Sequence, residues 1–131
     1  MNYQKLYENN KNNYDFVLSL AADEKTPKKI LKQIYLNSII HRKDILVQLA
    51  KNKNCTKFIL NRLIKNHELI IKYLVTLHQN FDIENYEFTY VLAKFALEQE
   101  DCPYFILKKI YGFDILLNVS KHPNWKLKDF E

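Results

Sequence analysis

A segment of 14 residues recurs along this chain, and the repetition limits the fold more than any other feature of the sequence. The three clear copies are AADEKTPKKILKQI at 21–34, AKNKNCTKFILNRL at 50–63 and LEQEDCPYFILKKI at 97–110. Self-similarity at intervals of about 20–50 residues is typical of repeat architectures, in which each repeat is one small structural unit. The sequence therefore predicts a protein built from stacked repeats.

One column of the alignment marks the register of the repeats. It holds Thr26, Cys55 and Cys102 in the clear copies, and two weaker copies, LHQNF and SKHPNW, place Phe81 and Trp125 in it. The steps between successive members are 29, 26, 21 and 23 residues. Apolar residues with helical spacing follow this column, at 30, 31 and 34, at 59, 60, 63 and 64, and at 106, 107 and 110. This spacing predicts a helix that buries one apolar stripe in each of these copies.

Each repeat is predicted to contain two short helices that are separated by a polar turn. Pro27 and Pro103 suit the first turn of the second helix, and Thr26 or Asp101 is expected to cap its free amides. Gly112 is expected to end a helix in the left-handed conformation. The first helices of the repeats are predicted at about 14–22, 42–51, 68–78, 86–97 and 113–121.

Helices this short are not stable alone, so each must bury its apolar stripe against neighbouring repeats. The predicted fold is all-α. It is a small right-handed α-solenoid of about five short helix-pair repeats, with nine or ten helices and no sheet. A chain of 131 residues is expected to form a single helical-repeat domain, in which 1–13 is an N-terminal cap segment and 14–131 forms the repeats.

The first copy carries a resemblance to a known family. Its sequence, LAADEKTPKKILKQI at 20–34, resembles the leucine-rich repeat variant, a bacterial module of alternating short helices, and is also similar to HEAT-type helical repeats. The likeness extends over about residues 18–130, and it implies an interaction scaffold without assigning a reaction. Some variant-repeat proteins carry an iron–sulfur cluster on a cysteine-rich N-terminal segment. No cysteine precedes Cys55 here, so no cofactor is expected.

Residues that carry chemistry are sparse. The chain has one glycine, where average usage of about 7% would supply about nine, and Rossmann, P-loop and nucleophile-elbow motifs each need two or more. Cys55 and Cys102 are interpreted as small turn-packing residues, although a helix N-terminus can activate a thiol. The histidines lack metal-ligand spacing, and His78 and His122 are interpreted as solvated turn residues. We therefore expect no metal site, no catalytic residues and no enzymatic activity.

The acidic and aromatic residues also have structural interpretations. The clustered carboxylates are expected to be solvated side chains at helix starts, where the helix dipole stabilises negative charge; they are Asp82, Glu84, Glu87, Glu98, Glu100 and Asp101. Six aromatic residues lie on or beside the predicted core stripes and are expected to pack there, with base stacking as the alternative. They are Tyr35, Tyr73, Tyr104, Phe105, Tyr111 and Phe113.

The sequence also bears on location. The N-terminal residues MNYQKLYENNKNNYDF lack the apolar core of a signal peptide, and the longest apolar run, LIIKYLVTL at 69–77, contains Lys72 and is too short to span a bilayer. The chain contains only two cysteines, which fits a reducing compartment. We expect a cytoplasmic protein that does not contact the membrane.

Charge is distributed unevenly along the chain. Residues 1–72 hold 14 Lys and Arg against 6 Asp and Glu, a net +8, whereas residues 73–131 hold 6 against 9, a net −3. Lysines in the first turn of a helix are opposed by the helix dipole, a cost that an anionic ligand would offset. The second helices are expected to share one face, which predicts an anion-binding or partner-binding face formed by Lys28, Lys32, Lys57, Arg62, Lys108 and Lys109. The alternative is surface lysine that reflects the codon usage of an AT-rich genome.

These observations favour a binding function. We expect a non-catalytic, intracellular protein–protein interaction scaffold whose partner is acidic. The alternative is nucleic-acid binding, in which the same basic face contacts the phosphate backbone. Self-association is also predicted, because Trp125, Leu127 and Phe130 would have a neighbouring repeat on one side only.

Overall fold

The computed structural model describes residues 2–37, 42–113 and 117–126. Within these ranges the chain is all-helical and has no strand, which confirms that the fold is all-α. The α-helices are α1 (Tyr3–Asn10), α2 (Tyr14–Ala22), α3 (Lys28–Asn37), α4 (Lys43–Lys51), α5 (Lys57–Leu63), α6 (Leu69–Leu77), α7 (Tyr90–Leu97) and α8 (Tyr104–Ile110). Short 3-10 helices span Ile83–Asn85, Tyr111–Phe113 and Val119–Lys121.

The chain divides into two compact units, Met1–Phe81 and Asp82–Glu131. In the first unit, α4 packs against both α2 and α6, while α1 packs against α2 and α3. In the second unit, α7 packs against α8. That the two units form one continuous repeat domain stays a prediction.

Most first helices lie where the repeat pattern predicts them. The bounds of α2 match because the side chain of Asn13 accepts a hydrogen bond from the Phe16 amide and so caps the helix. Helix α7 begins at Tyr90, four residues later than predicted, because Tyr86 and Thr89 have extended backbone conformations. The Thr89 side chain then caps α7 through the Leu92 amide.

The predicted first helix at 113–121 is not continuous over that range, although Leu117 within it is α-helical. Phe113 is the last residue of one 3-10 helix, and a second 3-10 helix begins at Val119. Asn118, between them, has a left-handed conformation with φ of 54°, which an α-helix does not contain. Residues 114–116 lie outside the described residues.

The apolar stripe predicted for the second helices is the core of each unit. All nine of its central residues are at most 2% exposed, namely Ile30, Leu31 and Ile34 in α3, Ile59, Leu60 and Leu63 in α5, and Ile106, Leu107 and Ile110 in α8. Leu49 of α4 and Ile71 of α6 are buried with the first two groups in one cluster. The repeat alignment therefore places the buried residues of α3, α5 and α8 correctly.

Side chains of one turn bind the backbone of the turn before it. Asn52 is 3% exposed, and its Nδ2 atom donates to the carbonyl oxygens of Ala21 (2.8 Å) and Asp23 (2.9 Å). Two residues later, Asn54 Nδ2 donates to the carbonyl oxygens of Glu24 and Thr26, at 2.6 and 3.2 Å. The Asn54 amide in turn donates to Asn52 Oδ1. These bonds satisfy turn carbonyls that the helices leave without partners.

The same arrangement recurs in the next turn of the first unit. His78 Nε2 lies 2.6 Å from the Asn52 carbonyl oxygen, and the Asn80 amide donates to His78 Nδ1 at 3.0 Å. Asn80 Nδ2 donates to the Cys55 carbonyl oxygen at 3.0 Å. Because a carbonyl can only accept and an amide N–H can only donate, the imidazole must be the neutral Nε2–H tautomer.

A third instance lies within the second unit. His122 Nε2 is 2.8 Å from the Gln99 carbonyl oxygen, its Nδ1 accepts from the Asn124 amide, and Asn124 Nδ2 donates to the Cys102 carbonyl oxygen at 2.8 Å. The interpretation of these histidines as solvated is therefore wrong, since His122 is buried and His78 half-buried. We call the side chains of Asn52, Asn54, His78, Asn80, His122 and Asn124, with the bonds that they make, the turn ladder.

Two further predictions about the turns are wrong. Thr26 does not cap α3, because it is fully buried and its hydroxyl donates to the Leu20 carbonyl oxygen at 2.7 Å, which ties the turn to the end of α2. Gly112 is not left-handed, since no described glycine has a positive φ, and it lies inside a 3-10 helix. The prolines precede their helices: Pro27 accepts from the Ile30 and Leu31 amides, and Pro103 is the N-cap residue of α8.

Substitutions in α5 test the register of the repeats. Leu60→Ala removes a fully buried side chain and is expected to lower the free energy of unfolding by about 2–5 kcal/mol. Lys57→Ala, on the exposed side of the same helix, is expected to change it by less than about 0.5 kcal/mol. Urea denaturation followed by circular dichroism measures both values, and similar losses for the two variants would contradict the register.

His78 tests the turn ladder. His78→Leu replaces the ring with an apolar side chain of similar size and leaves the Asn52 carbonyl and the Asn80 amide without their partner. We therefore expect the free energy of unfolding to fall by about 1–3 kcal/mol. His78→Asn is expected to retain most of the stability, because Asn52 makes the corresponding bonds with an amide. Equal losses in urea denaturation would show that the ring contributes through packing alone.

Candidate binding face

Helices α3 and α5 carry four of the six residues that the sequence predicts for a binding face. Lys28, Lys32, Lys57 and Arg62 are all exposed. Neither helix contains an acidic residue. We call these four cations, together with the surface of α3 and α5 between them, the basic face.

Two carboxylates of the first unit form ion pairs with cations outside the basic face. Among the described residues, Glu68 lies 3.4 Å from Lys43 Nζ and 3.6 Å from His67 Nε2, and Glu24 lies 3.3 Å from Lys53 Nζ. These contacts lie in the turns and beside the first helices. No cation of the basic face forms an ion pair with another described residue, so its charge is available to an external anion.

The uneven charge of the sequence follows the division into units. Residues 73–81 contain no Lys, Arg, Asp or Glu, so the net +8 counted to residue 72 applies to the whole first unit. The second unit then has the net −3. The first unit is therefore the one that favours an anionic partner.

An exposed aromatic ring holds two of these cations. Phe58 of α5 is 37% exposed, Lys32 Nζ lies 4.6 Å from its ring centroid, and Arg62 Cζ lies 4.5 Å from it. Lys32 belongs to α3, whereas Arg62 follows Phe58 by one turn of α5. The ring therefore brings cations from two successive second helices together through cation–π contacts. Phe58 is not among the aromatic residues singled out from the sequence, although it directly precedes the buried Ile59–Leu60 pair and lies outside the core stripe.

An open depression adjoins this aromatic ring. It has a volume of about 480 Å³ and is lined by Tyr35, Phe58, Asn61, Arg62 and Lys65. Tyr35 lies on α3, and the others lie on α5 or just after it. Lys65, which follows the C-terminal end of α5, lies at the edge of this depression.

The remaining two predicted residues lie on α8 in the second unit. Lys108 is exposed, whereas Lys109 is half-buried and its Nζ donates to the Glu84 carbonyl oxygen at 2.8 Å. A depression of about 320 Å³ adjoins Lys109, and its lining includes Glu87. The charge around α8 is therefore mixed, unlike that of the basic face.

The predicted aromatic core holds for some residues and fails for others. Tyr73 is buried, but Phe105 and Tyr111 are 49% and 40% exposed, so the expectation is wrong for those two. Trp125 packs within the second unit, where its ring stacks on Tyr111 at 4.9 Å and meets Tyr104 edge-on at 5.6 Å. Leu127 and Phe130, predicted to take part in self-association, lie outside the described residues.

Both thiols are buried in the turns, as the turn-packing interpretation predicts. Cys55 and Cys102 have no exposed surface. Desolvation raises the pKa of the Cys55 thiol to about 12 and outweighs a hydrogen bond to the Thr56 backbone, which acts in the opposite direction. Because the thiolate is the reactive form, Cys55 is poorly suited to nucleophilic chemistry.

The carboxylates, the possible metal ligands and the apolar helices form no functional site in the described part of the chain. The six clustered carboxylates are exposed, as expected for solvated side chains. Across 2–37, 42–113 and 117–126, no three His, Cys, Asp or Glu side chains come together in a way that would hold a metal ion. In the same ranges no helix has the length and apolar character needed to cross a bilayer.

Comparison with known proteins adds no assignment. No protein-family model, curated protein or solved structure matches this chain. The likeness to leucine-rich repeat variants and HEAT repeats stays a prediction.

Thiol labelling tests the burial of Cys55. In a Cys102→Ala variant at pH 8, we expect the Cys55 thiol to react with a small disulfide reagent much more slowly in the folded protein than in urea. The absorbance of the released thiolate measures both rates. Rapid labelling of the folded protein would show that Cys55 is accessible and that its turn is not packed as described.

Proposed function

We propose that the protein is a non-catalytic, cytoplasmic interaction scaffold that binds an acidic protein partner through its basic face. One observation carries this proposal: exposed cations on α3 and α5 make no ion pair with another described residue, and both helices lack acidic residues. An acidic partner would neutralise these charges and steer towards them from a distance.

We further propose that the architecture is a small right-handed α-solenoid of about five helix pairs. The support is twofold. The aligned apolar columns are buried in α3, α5 and α8, and the turn ladder repeats the same contacts from one turn to the next. Solenoids present their second helices side by side as an extended surface, which suits partner binding.

The environments of the described cysteines and histidines also favour a binding role without catalysis. Cys55 and Cys102 are buried, and the rings of His78 and His122 use both nitrogen atoms in turn-ladder bonds. A nucleophile and a base must be accessible and within hydrogen-bond reach of each other. These residues therefore support a structural role rather than a reaction.

Nucleic-acid binding is the second candidate, because the same exposed cations could contact phosphates. Lys28 and Lys57 are the first residues of α3 and α5, where a phosphate would also meet free helix amides. A duplex that binds through its backbone loses affinity with salt at a log–log slope of about −0.9 per phosphate contacted. Because binding of an acidic protein also weakens with salt, the two candidates are separated by the relative affinity for the two ligands, and the slope counts the phosphates in contact.

Fluorescence anisotropy at low salt tests both candidates with labelled polyglutamate and labelled random-sequence duplex DNA. We expect tighter binding of polyglutamate, and a loss of at least about tenfold in the Lys57→Glu, Arg62→Glu double variant. The matched control is Lys5→Glu, Lys11→Glu, which makes the same change in charge on exposed residues of the α1 region.

Two results would contradict the proposal. If the control variant weakens binding as much as the double variant, the protein attracts anions through its net charge and not through the basic face. If duplex DNA binds more tightly than polyglutamate, with the steep salt dependence of phosphate contacts, nucleic-acid binding replaces the first candidate.

A further inference from the structure

The depression between α3 and α5 combines apolar and cationic groups in a small area. Tyr35 and Phe58 supply aromatic surface, Asn61 supplies an amide, and Arg62 and Lys65 supply positive charge. Its volume of about 480 Å³ falls within the range of about 300–1,000 Å³ that is usual for ligand pockets. A ligand that fits these groups must present negative charge next to an apolar group.

Phe58 gives this site a degree of preorganisation. Lys32 and Arg62 both lie over its ring, at 4.6 and 4.5 Å from the centroid. The separation of the two cations therefore cannot exceed the sum of these two distances. Flexible surface lysines and arginines lose rotamer entropy when they bind a ligand. Cations that already rest on an aromatic ring lose less, which favours binding at this point over other parts of the unit.

The dimensions suit a short extended peptide. A helix of seven residues such as α5 is about 10 Å long. An extended chain rises by about 3.3 Å per residue. The length of α5 therefore matches about three residues of an extended chain, whose alternate side chains would face the depression.

The aromatic contacts favour a peptide over a nucleic-acid strand. Base stacking needs an open ring face, and the Phe58 ring is already in contact with Lys32 and Arg62. A base that stacked there would displace at least one of those cations and weaken the phosphate contacts that it depends on. A carboxylate can instead approach Arg62 from the side and leave its contact with the ring intact.

We propose that this depression binds a short acidic peptide segment of the partner, in which carboxylates flank one apolar side chain. Arg62 and Lys65 contact the carboxylates, Asn61 donates to the peptide backbone, and Tyr35 packs against the apolar side chain, while Phe58 holds Arg62 in place. This assignment rests on the proposed function, since it names the chemistry that the basic face recognises.

Titration of the labelled protein with small probes, monitored by nuclear magnetic resonance, tests this assignment. The probe is the capped pentapeptide Glu-Asp-Leu-Asp-Glu. Its comparison peptides are Gln-Asn-Leu-Asn-Gln, which lacks the charge, and Glu-Asp-Gly-Asp-Glu, which lacks the apolar side chain. We expect the probe to bind at least about tenfold more tightly than the neutral peptide and about threefold more tightly than the glycine peptide. The shifted amide signals should be those of α3, α5 and Lys65.

Matched substitutions locate the site. Lys65→Gln and Arg62→Gln are each expected to weaken binding of the probe about fivefold to tenfold, whereas Lys11→Gln, which removes an equal charge outside the depression, should leave it within twofold. Phe58→Leu should weaken binding about threefold, because the cations lose the ring that holds them. Unchanged far-ultraviolet circular dichroism and urea midpoints confirm that each variant is folded.

Several results would overturn the assignment. Equal binding of the leucine and glycine peptides would show that the depression makes no apolar contact. An effect of Lys11→Gln as large as that of Lys65→Gln would show binding by net charge alone, and tighter binding of a single-stranded pentanucleotide would assign the depression to nucleic acid. If polyglutamate binding depends on Lys57 and Arg62 but the pentapeptide does not bind, the proposed function stands and this site fails.

Discussion

Hydrogen bonds from the side chains of one turn to the carbonyl oxygens of the turn before it determine how the short helices of this protein are arranged. Helices of seven to ten residues have little stability in isolation. Apolar burial can hold them together, but it is not directional and leaves their register loose. Asn52 and His78 supply the direction, because each fixes one turn against its predecessor within the first unit. Successive second helices, α3 and α5, are thereby held in adjacent positions.

The pattern of apolar residues was enough to predict the helices and the core, because burial follows spacing that can be counted along the chain. Leu31, Leu60 and Leu107 occupy one column and are all fully buried. The turns could not be predicted in the same way, since the partners of their side chains lie more than 20 residues away. Thr26 was predicted wrongly for a different reason: local rules favour a cap, but its hydroxyl donates to the buried Leu20 carbonyl oxygen six residues earlier. The recurrence of His or Asn two residues before another Asn was the available signal.

The candidate site was predictable in part for a similar reason. The exposed cations could be assigned to one face, because polar positions alternate with the core stripe of each second helix. The contacts among these side chains could not be predicted from the sequence. Phe58 of α5 contacts Lys32 of α3, and such a contact depends on how the two helices are aligned. The turn ladder therefore links fold to function in this account. By aligning the turns, it allows Phe58 of α5 to contact Lys32 of α3.

The protonation pattern of the histidine rings is the measurement that tests the turn ladder most directly. At neutral pH we expect nitrogen-15 correlation spectra to show His78 and His122 as single Nε2–H tautomers, each with a ring proton that exchanges slowly with water. His67, whose side chain is 89% exposed, serves as the internal comparison and should show rapid ring-proton exchange. Signals of His78 and His122 that match those of His67, or a proton on Nδ1 of either ring, would contradict the account.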